Sequence, residues 1–228
     1  MTVPVEPVLR VADAAPRGVL VWRWPATVGA ISSAAVGGGS SRPGWVINVG
    51  VDSGYGRTDL AGHAAEVAAG LDLPGRGVAL FTAASVNRPA RSAAGGVTVH
   101  ATVGVSHPTW AAAPEAGDGS AEVLIPEGSR PDPGPAVPPT PGTINLVIQV
   151  PVSLAGGAAV NAVITATEAK TQALVEAGVD GTGTATDAVV VAWPSSTGHS
   201  EHFAGPRSPW GERIARCVHA AVREGLAT

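Results

Sequence analysis

Two stretches in the second half of the chain hold the residues best suited to chemistry. The first, residues 161–172, has helical periodicity. At 100° per residue, Asn161, Thr165, Glu168 and Gln172 fall within about 60° of one another. They form a polar stripe on a segment otherwise rich in Ala, Val, Ile and Leu. Solvated helix faces usually carry several Lys, Arg and Glu. This stripe is short-chained and mostly uncharged, as a surface that hydrogen-bonds a ligand would be. Lys170 points almost opposite Glu168, so the two cannot pair within the helix. It is the only lysine among 14 basic residues. An ammonium is a compact donor that can lose its proton, and a guanidinium is not. The second stretch is Thr182, Thr184, Thr186 and Asp187, three hydroxyls and a carboxylate among glycines. It leads into the apolar strand 187–192. Loops at strand ends often carry site groups.

Other familiar constellations are missing. Gly37–Gly39 and the loop 181–186 each precede a strand, whereas a phosphate loop needs a helix N-terminus after it. There is no HExxH, and Ser106 in Gly-Val-Ser-His-Pro is not a nucleophile elbow. Cys217, the one cysteine, excludes an internal disulfide and a multi-cysteine metal site. Its apolar helix face makes it a packing residue. His63, His100 and His107 are scattered, so no metal site is expected.

The elements that must position these groups follow from periodicity and punctuation. Strands are expected over 3–11, 18–24, 45–51, 78–83, 97–105, 143–150 and 187–192, with 28–36 small and mixed. Thr58 can cap a helix with Asp59 in its first turn, and Leu60, Ala64, Val67 and Leu71 then recur at helical spacing. The longest helical pattern is 155–177, with Gly178 as its stop. Ser208 and Pro209 suit the N-cap and first position of a closing helix that runs to about residue 225, with Ile214, Cys217, Val218 and Ala221 on one face. Strand, helix and strand recur in both halves, which raises the prospect of two related units. The expectation is an α+β fold: mixed sheets packed with about three main helices, in a single domain spanning 1–228. Residues 112–142, rich in proline, read as an extended surface excursion.

Composition narrows the function classes. The 228 residues suffice for a sizeable core, and a formal charge of −4 argues against a nucleic-acid protein. Hydrophobic residues make up 45%, too many for a disordered chain. No apolar run approaches the roughly 20 residues of a membrane helix. The first residues lack a basic region followed by an apolar one, so no signal peptide is expected and the cytoplasm is the default. Six of the nine aromatic residues are Trp, and Trp can wall a flat ligand.

Taken in order, several segments resemble the adenosylcobinamide amidohydrolase family. They are Gly142-Thr-Ile-Asn145, the run LAGGAAVNAVITATEAKTQAL from Leu154, and Gly183-Thr-Ala-Thr-Asp-Ala-Val-Val-Val191. Ala204-Gly205 followed by Gly211-Glu212 and a closing helix also fits. In the first half GAISSAAVGGG from Gly29, Asn48, Phe81-Thr-Ala-Ala84 and Val103-Gly-Val-Ser-His-Pro108 have counterparts. The resemblance implies a hydrolase that cuts the amide joining a corrinoid side chain to aminopropanol and releases adenosylcobyric acid for cobalamin salvage. The corrinoid is then the substrate, no cofactor is needed, and neither a membrane nor a nucleic-acid partner is implied. Homo-oligomerisation stays open.

Amide hydrolysis needs a base for the attacking water and a donor for the oxyanion. Glu168 or Asp187 is the expected base, and Lys170 or Asn145 the expected electrophile; a threonine nucleophile, Thr184 or Thr186, is the other option. Asn48, His107, Asn161, Thr165, Gln172, Thr184 and Thr186 are the expected substrate contacts. The alternative is a corrinoid-binding protein of the same fold without catalysis. The chain departs from the family pattern at His107, often Asn there, at Pro151, where Asn is usual, and over Pro206-Arg-Ser-Pro-Trp210.

Overall fold

The computed structural model describes residues 5–12, 15–113, 142–195 and 199–227. The expected proline-rich excursion therefore lies almost wholly outside the described residues. The chain opens with β1 (Val8–Ala12), β2 (Ala15–Arg23), β3 (Val28–Ser32), β4 (Gly39–Ser41) and β5 (Trp45–Gly50). Next come α1 (Leu60–Gly70), β6 (Gly77–Thr82), β7 (Ala90–Ala94), β8 (Val97–Val103) and β9 (Ile144–Gln149). It closes with α2 (Gly156–Glu176), β10 (Ala188–Pro194) and α3 (Pro209–Leu226).

The strands form two mixed sheets, β1-β2-β5-β6 and β4-β3-β10-β9-β8-β7. This is the expected α+β class, with three helices among the described residues. The two halves share one topology. In the first, β1 and β2 pair antiparallel, β2 pairs antiparallel with β5, and β6 follows α1 to lie parallel to β5. In the second, β7, β8, β9, α2 and β10 repeat these steps. One exchange breaks the symmetry: β3 and β4 leave the first half and extend the other sheet beside β10.

The sheets stack face to face, which explains the nearly unbroken apolar strands. Alternate residues of β5 point to opposite faces. Val46 enters an inter-sheet layer with Leu20, Trp22, Val78, Leu80, Val147 and Val190. Ile47 and Val49 pack instead with Ala64 and Val67 of α1. On the far side of the other sheet, α2 and α3 cover Leu146, Ile148 and Val191. The order of layers is helix, sheet, sheet, helices. Six buried alanines give α2 a flat inner face (Ala158, Ala159, Ala162, Ala166, Ala169 and Ala173).

Three expectations need correction. The N-cap of α1 is Asp59, not Thr58: its carboxylate accepts from Gly62 N at 2.8 Å. The small, mixed stretch from Val28 contains a buried strand, β3. The strand β7 was not expected, because ARSAA has little β character. It pairs with β8 across Gly95-Gly96, whose φ values of 58° and 87° suit a tight hairpin turn.

Candidate functional site

A cleft of about 450 Å³ opens between the sheets where β5 and β6 end and β9 and β10 begin. One wall is the Ser33-Ala34-Ala35 turn after β3. This turn is tied down on both sides. Ser33 N donates to Val189 O and Ser33 Oγ accepts from Val189 N, each at 3.0 Å. Ser32 Oγ accepts from Ala34 N at 3.0 Å. Two residues on, Ala79 N donates to Val36 O at 3.1 Å, so the loop bridges the two sheets. Gly37 allows that crossing: its φ is +73°, and a Cβ there would collide with the Gly77 carbonyl.

Asn145 lines the cleft, and Asn48 of the other half bonds to it from within the inter-sheet layer. Asn48 and Asn145 are 1% and 2% exposed, in strands otherwise largely filled by Val, Ile and Leu. Asn145 Nδ2 donates to Phe81 O at 2.9 Å and to Asn48 Oδ1 at 3.0 Å. Asn48 Nδ2 in turn donates to Thr102 Oγ1 at 3.0 Å. The Phe81 carbonyl can only accept, which fixes which way the Asn145 amide faces. Both Asn145 N–H bonds are spent inside the protein. The expected role of Asn145 as an oxyanion donor is therefore not available in this arrangement. Its Oδ1 is buried and has no partner among the described residues.

Asp187 and Lys170 meet, although they stand on different elements. Lys170 reaches from α2 to Asp187 Oδ2, with side-chain exposures of 8% and 12%. Asp187 Oδ2 also accepts from Thr184 N at 3.1 Å, and Oδ1 accepts from Ile144 N at 2.9 Å and Thr184 Oγ1 at 2.5 Å. A carboxylate has about four lone-pair sites, and four donors occupy this one. Asp187 thus acts as a clasp rather than as the expected base. It holds the turn 182–187 against the start of β9 and sets Thr186 at the cleft, where its hydroxyl lies 2.6 Å from Thr143 Oγ1. Thr184 faces the clasp. Gly183 leaves the space: a Cβ would stand 2.5 Å from Asp187 Oδ2 and closer still to Lys170 Nζ.

The structure does not bring the α2 stripe to this cleft. Thr165 is fully buried and donates to Ala204 O at 2.8 Å. Asn161, Glu168 and Gln172 are exposed, with Asn161 bonded back to Gly157 O and Gln172 to Glu176. Glu168 and Gln172 border a shallow surface hollow on α2, which covers the side of its sheet away from the cleft. The four share an angular sector, but the segment around Ala204 covers only Thr165. His107 is exposed after β8 and is not among the residues lining the cleft. No tryptophan lines it either; Trp24 and Trp193 face a separate hollow of about 240 Å³ with Gln149 and Pro151. The departure at Pro151 thus lies away from the cleft. Among the described residues no group of three or more His, Cys, Asp or Glu could hold a metal ion.

Sequence reasoning passed over one pair. Tyr55 lines the cleft, and its hydroxyl lies 2.7 Å from His63 Nδ1. The Tyr55 ring stacks on Phe81 at 5.9 Å and 16°, and His63 leans on the same Phe81 at 5.4 Å. Burial pushes the Tyr55 phenol above its ordinary pKa, against the pull of the Arg57 charge. Arg57 is held by Glu66 through two bonds of 2.6 Å. A signal was present: Tyr55 sits in the connection after a strand that leads through a helix to a parallel neighbour. Ligands gather at such carboxyl ends.

A family model described as adenosylcobinamide amidohydrolase matches residues 6–228. The chain belongs to that family. It is 38% identical over 93 residues to an adenosylcobinamide amidohydrolase of Methanosarcina mazei, covering 37% of this chain and 46% of that protein. It is 37% identical over 132 residues to the protein of the same name from Halobacterium salinarum, covering 58% of this chain and 51% of that one. The matched part thus spans about half the length of each relative. The cleft residues Phe81, Asn145 and Asp187, and Asn48 bonded to Asn145, lie in the segments whose resemblance pointed to this family. Among the described residues no helix is long and apolar enough to cross a membrane.

Proposed function

We propose that the protein hydrolyses adenosylcobinamide at the amide linking the corrin side chain to aminopropanol, and that the inter-sheet cleft is where it does so. The match to the family model over residues 6–228 carries this reading. The products of this reaction are adenosylcobyric acid and aminopropanol, and the proposal assigns it to cobalamin salvage in the cytoplasm. The corrinoid enters as substrate, and the reading needs no resident cofactor.

The cleft's dimensions support it. Pockets for drug-sized ligands run from about 300 to 1,000 Å³. At about 450 Å³, this one admits a single amide side chain and leaves the macrocycle at the mouth. Asn145, Thr143 and Thr186 give it a polar lining suited to an amide. The Lys170–Asp187 clasp positions Thr186 at the cleft.

The test is incubation with adenosylcobinamide followed by chromatography. Appearance of adenosylcobyric acid supports the hydrolase. Tight corrinoid binding with no product favours the non-catalytic binding protein, and neither binding nor product removes both.

A further inference from the structure

Among the described residues, the cleft's titratable groups are Asp52, Tyr55, Arg57 and Asp187. Three of them are engaged in ways that suit them poorly to moving a proton. Asp187 is closed by four donors. Arg57 grips Glu66 with both terminal nitrogens and does not deprotonate in proteins. Asp52 is exposed and bonded to Arg17 at 3.3 Å. Tyr55 differs, because its hydroxyl already shares a short hydrogen bond with an imidazole nitrogen.

Its place in the fold is also distinctive. Tyr55 lines the 450 Å³ cleft and also an adjoining hollow of about 290 Å³ that contains His63. Val51 and Asp52 border both. Tyr55 thus stands between the two spaces, with its hydroxyl bonded to the histidine that borders the hollow. Phe81 keeps both rings in place.

We propose that Tyr55 is the catalytic residue that exchanges a proton with the reacting atoms, and that His63 is the positioning residue that acts through it. The inference rests on the hydrolase reading above and deepens it by naming the group that moves the proton. Water oxygen attacks the amide carbon. One water proton passes to the Tyr55 oxygen as the phenolic proton passes to His63 Nδ1. The tetrahedral intermediate collapses and the C–N bond breaks. Tyr55 then gives a proton to the leaving nitrogen and regains one from His63. One water is consumed, one carboxylic acid and one amine are formed, and both side chains return to their starting states.

Tyr55→Phe keeps the ring stack and removes only the hydroxyl. General acid–base catalysis is typically worth 10²- to 10⁴-fold, so kcat is expected to fall by at least about 100-fold. KM and the melting temperature should hardly move. His63→Gln should lower kcat in the same way. Groups that act as a unit are strongly non-additive, so the double variant should be no slower than the slower single. A merely structural role would give additive losses and a lower melting temperature. The proposal is overturned if Tyr55→Phe keeps its rate within about threefold, or if the two losses multiply. Should His63→Gln fail to fold, Tyr55→Phe alone decides. If the wild-type protein makes no adenosylcobyric acid in the same assay, the hydrolase reading falls and takes this proposal with it. An active wild type with an unimpaired Tyr55→Phe removes this proposal alone.

Discussion

Replacing Lys170 by methionine tests whether the clasp at Asp187 is a desolvated ion pair that the fold depends on. Methionine keeps most of the side-chain volume and deletes the charge. Asp187 would keep three donors, Ile144 N, Thr184 N and Thr184 Oγ1, but lose its only cation among the described residues. Side-chain exposures of 8% and 12% leave little room for water to take over. Breaking a buried pair by removing one partner costs about 3–5 kcal/mol. The three remaining donors place this case toward the lower end. For a chain of this length each kcal/mol moves the midpoint by about 2–4 °C, so melting should drop by at least about 6 °C. Lys170→Met/Asp187→Asn removes both charges, and its loss should be smaller than the sum of the two singles. Lys170→Arg should also lower the midpoint, because the broader guanidinium has Gly183 in its way. Urea and thermal unfolding of the four variants decide the matter. A Lys170→Met loss below about 1 kcal/mol, typical of an exposed pair, would refute the reasoning.

Three further outcomes are expected. Gly37→Ala forces a side chain into a left-handed backbone against the Gly77 carbonyl, so thermal melting should show a loss above the about 1–2 kcal/mol of that conformation alone. Asn145→Ala leaves Asn48 Oδ1 and Phe81 O without their donor; unfolding should register about 1–3 kcal/mol, and turnover should fall with it. Burial holds the His100 pKa below its ordinary value of about 6.5, so at mildly acid pH the unfolded chain takes a proton that the folded one refuses. Stability should therefore rise with pH through that window and fall as pH drops below about 6.5. The Arg91 hydrogen bond lowers the Glu6 pKa, which adds a smaller loss below the ordinary carboxylate range. Urea midpoints at pH 7.5 and 5.5 measure the slope, and His100→Gln should flatten it.

The helices were legible because their signals are local. For α3, Ser208 accepts from Gly211 N at 3.1 Å, Pro209 stands at the start, and Ile214, Cys217, Val218 and Ala221 line the buried face. What the sequence hid was pairing at a distance. Nothing in residues 28–41 says that β3 and β4 join the sheet of the other half, since strand register against a distant partner leaves no local mark. The α2 stripe misled for a related reason. Helical angle reports which residues share a sector, not what covers that sector, and the segment around Ala204 covers Thr165 alone. Lys170 and Asp187 each stood out, but their pairing did not, because Asp187 reaches the lysine only through the folding of the turn 182–187.

The repeated topology explains why a cleft forms at this end of the sandwich. Each half places a parallel strand pair next to the inter-sheet layer, β5 with β6 and β9 with β10. The carboxyl ends of the first pair meet the amino ends of the second. Connections from both halves therefore converge on one opening: the one holding Tyr55, the one after β6, and the turn before β10. The exchanged hairpin supplies the remaining wall through Ser33 to Ala35. Each half also contributes an Ile-Asn step, Ile47-Asn48 and Ile144-Asn145, with the isoleucine packed toward a helix layer and the asparagine turned between the sheets. An asparagine facing an apolar layer is costly unless hydrogen-bonded. Here the two offset much of that cost through each other, through Thr102 and through the Phe81 carbonyl. Neither half could build this arrangement alone, because the bond from Asn145 to Asn48 crosses between the sheets. The site is thus a property of the stacking, and a substitution that shifts one sheet against the other should disturb it even from the far side of the core.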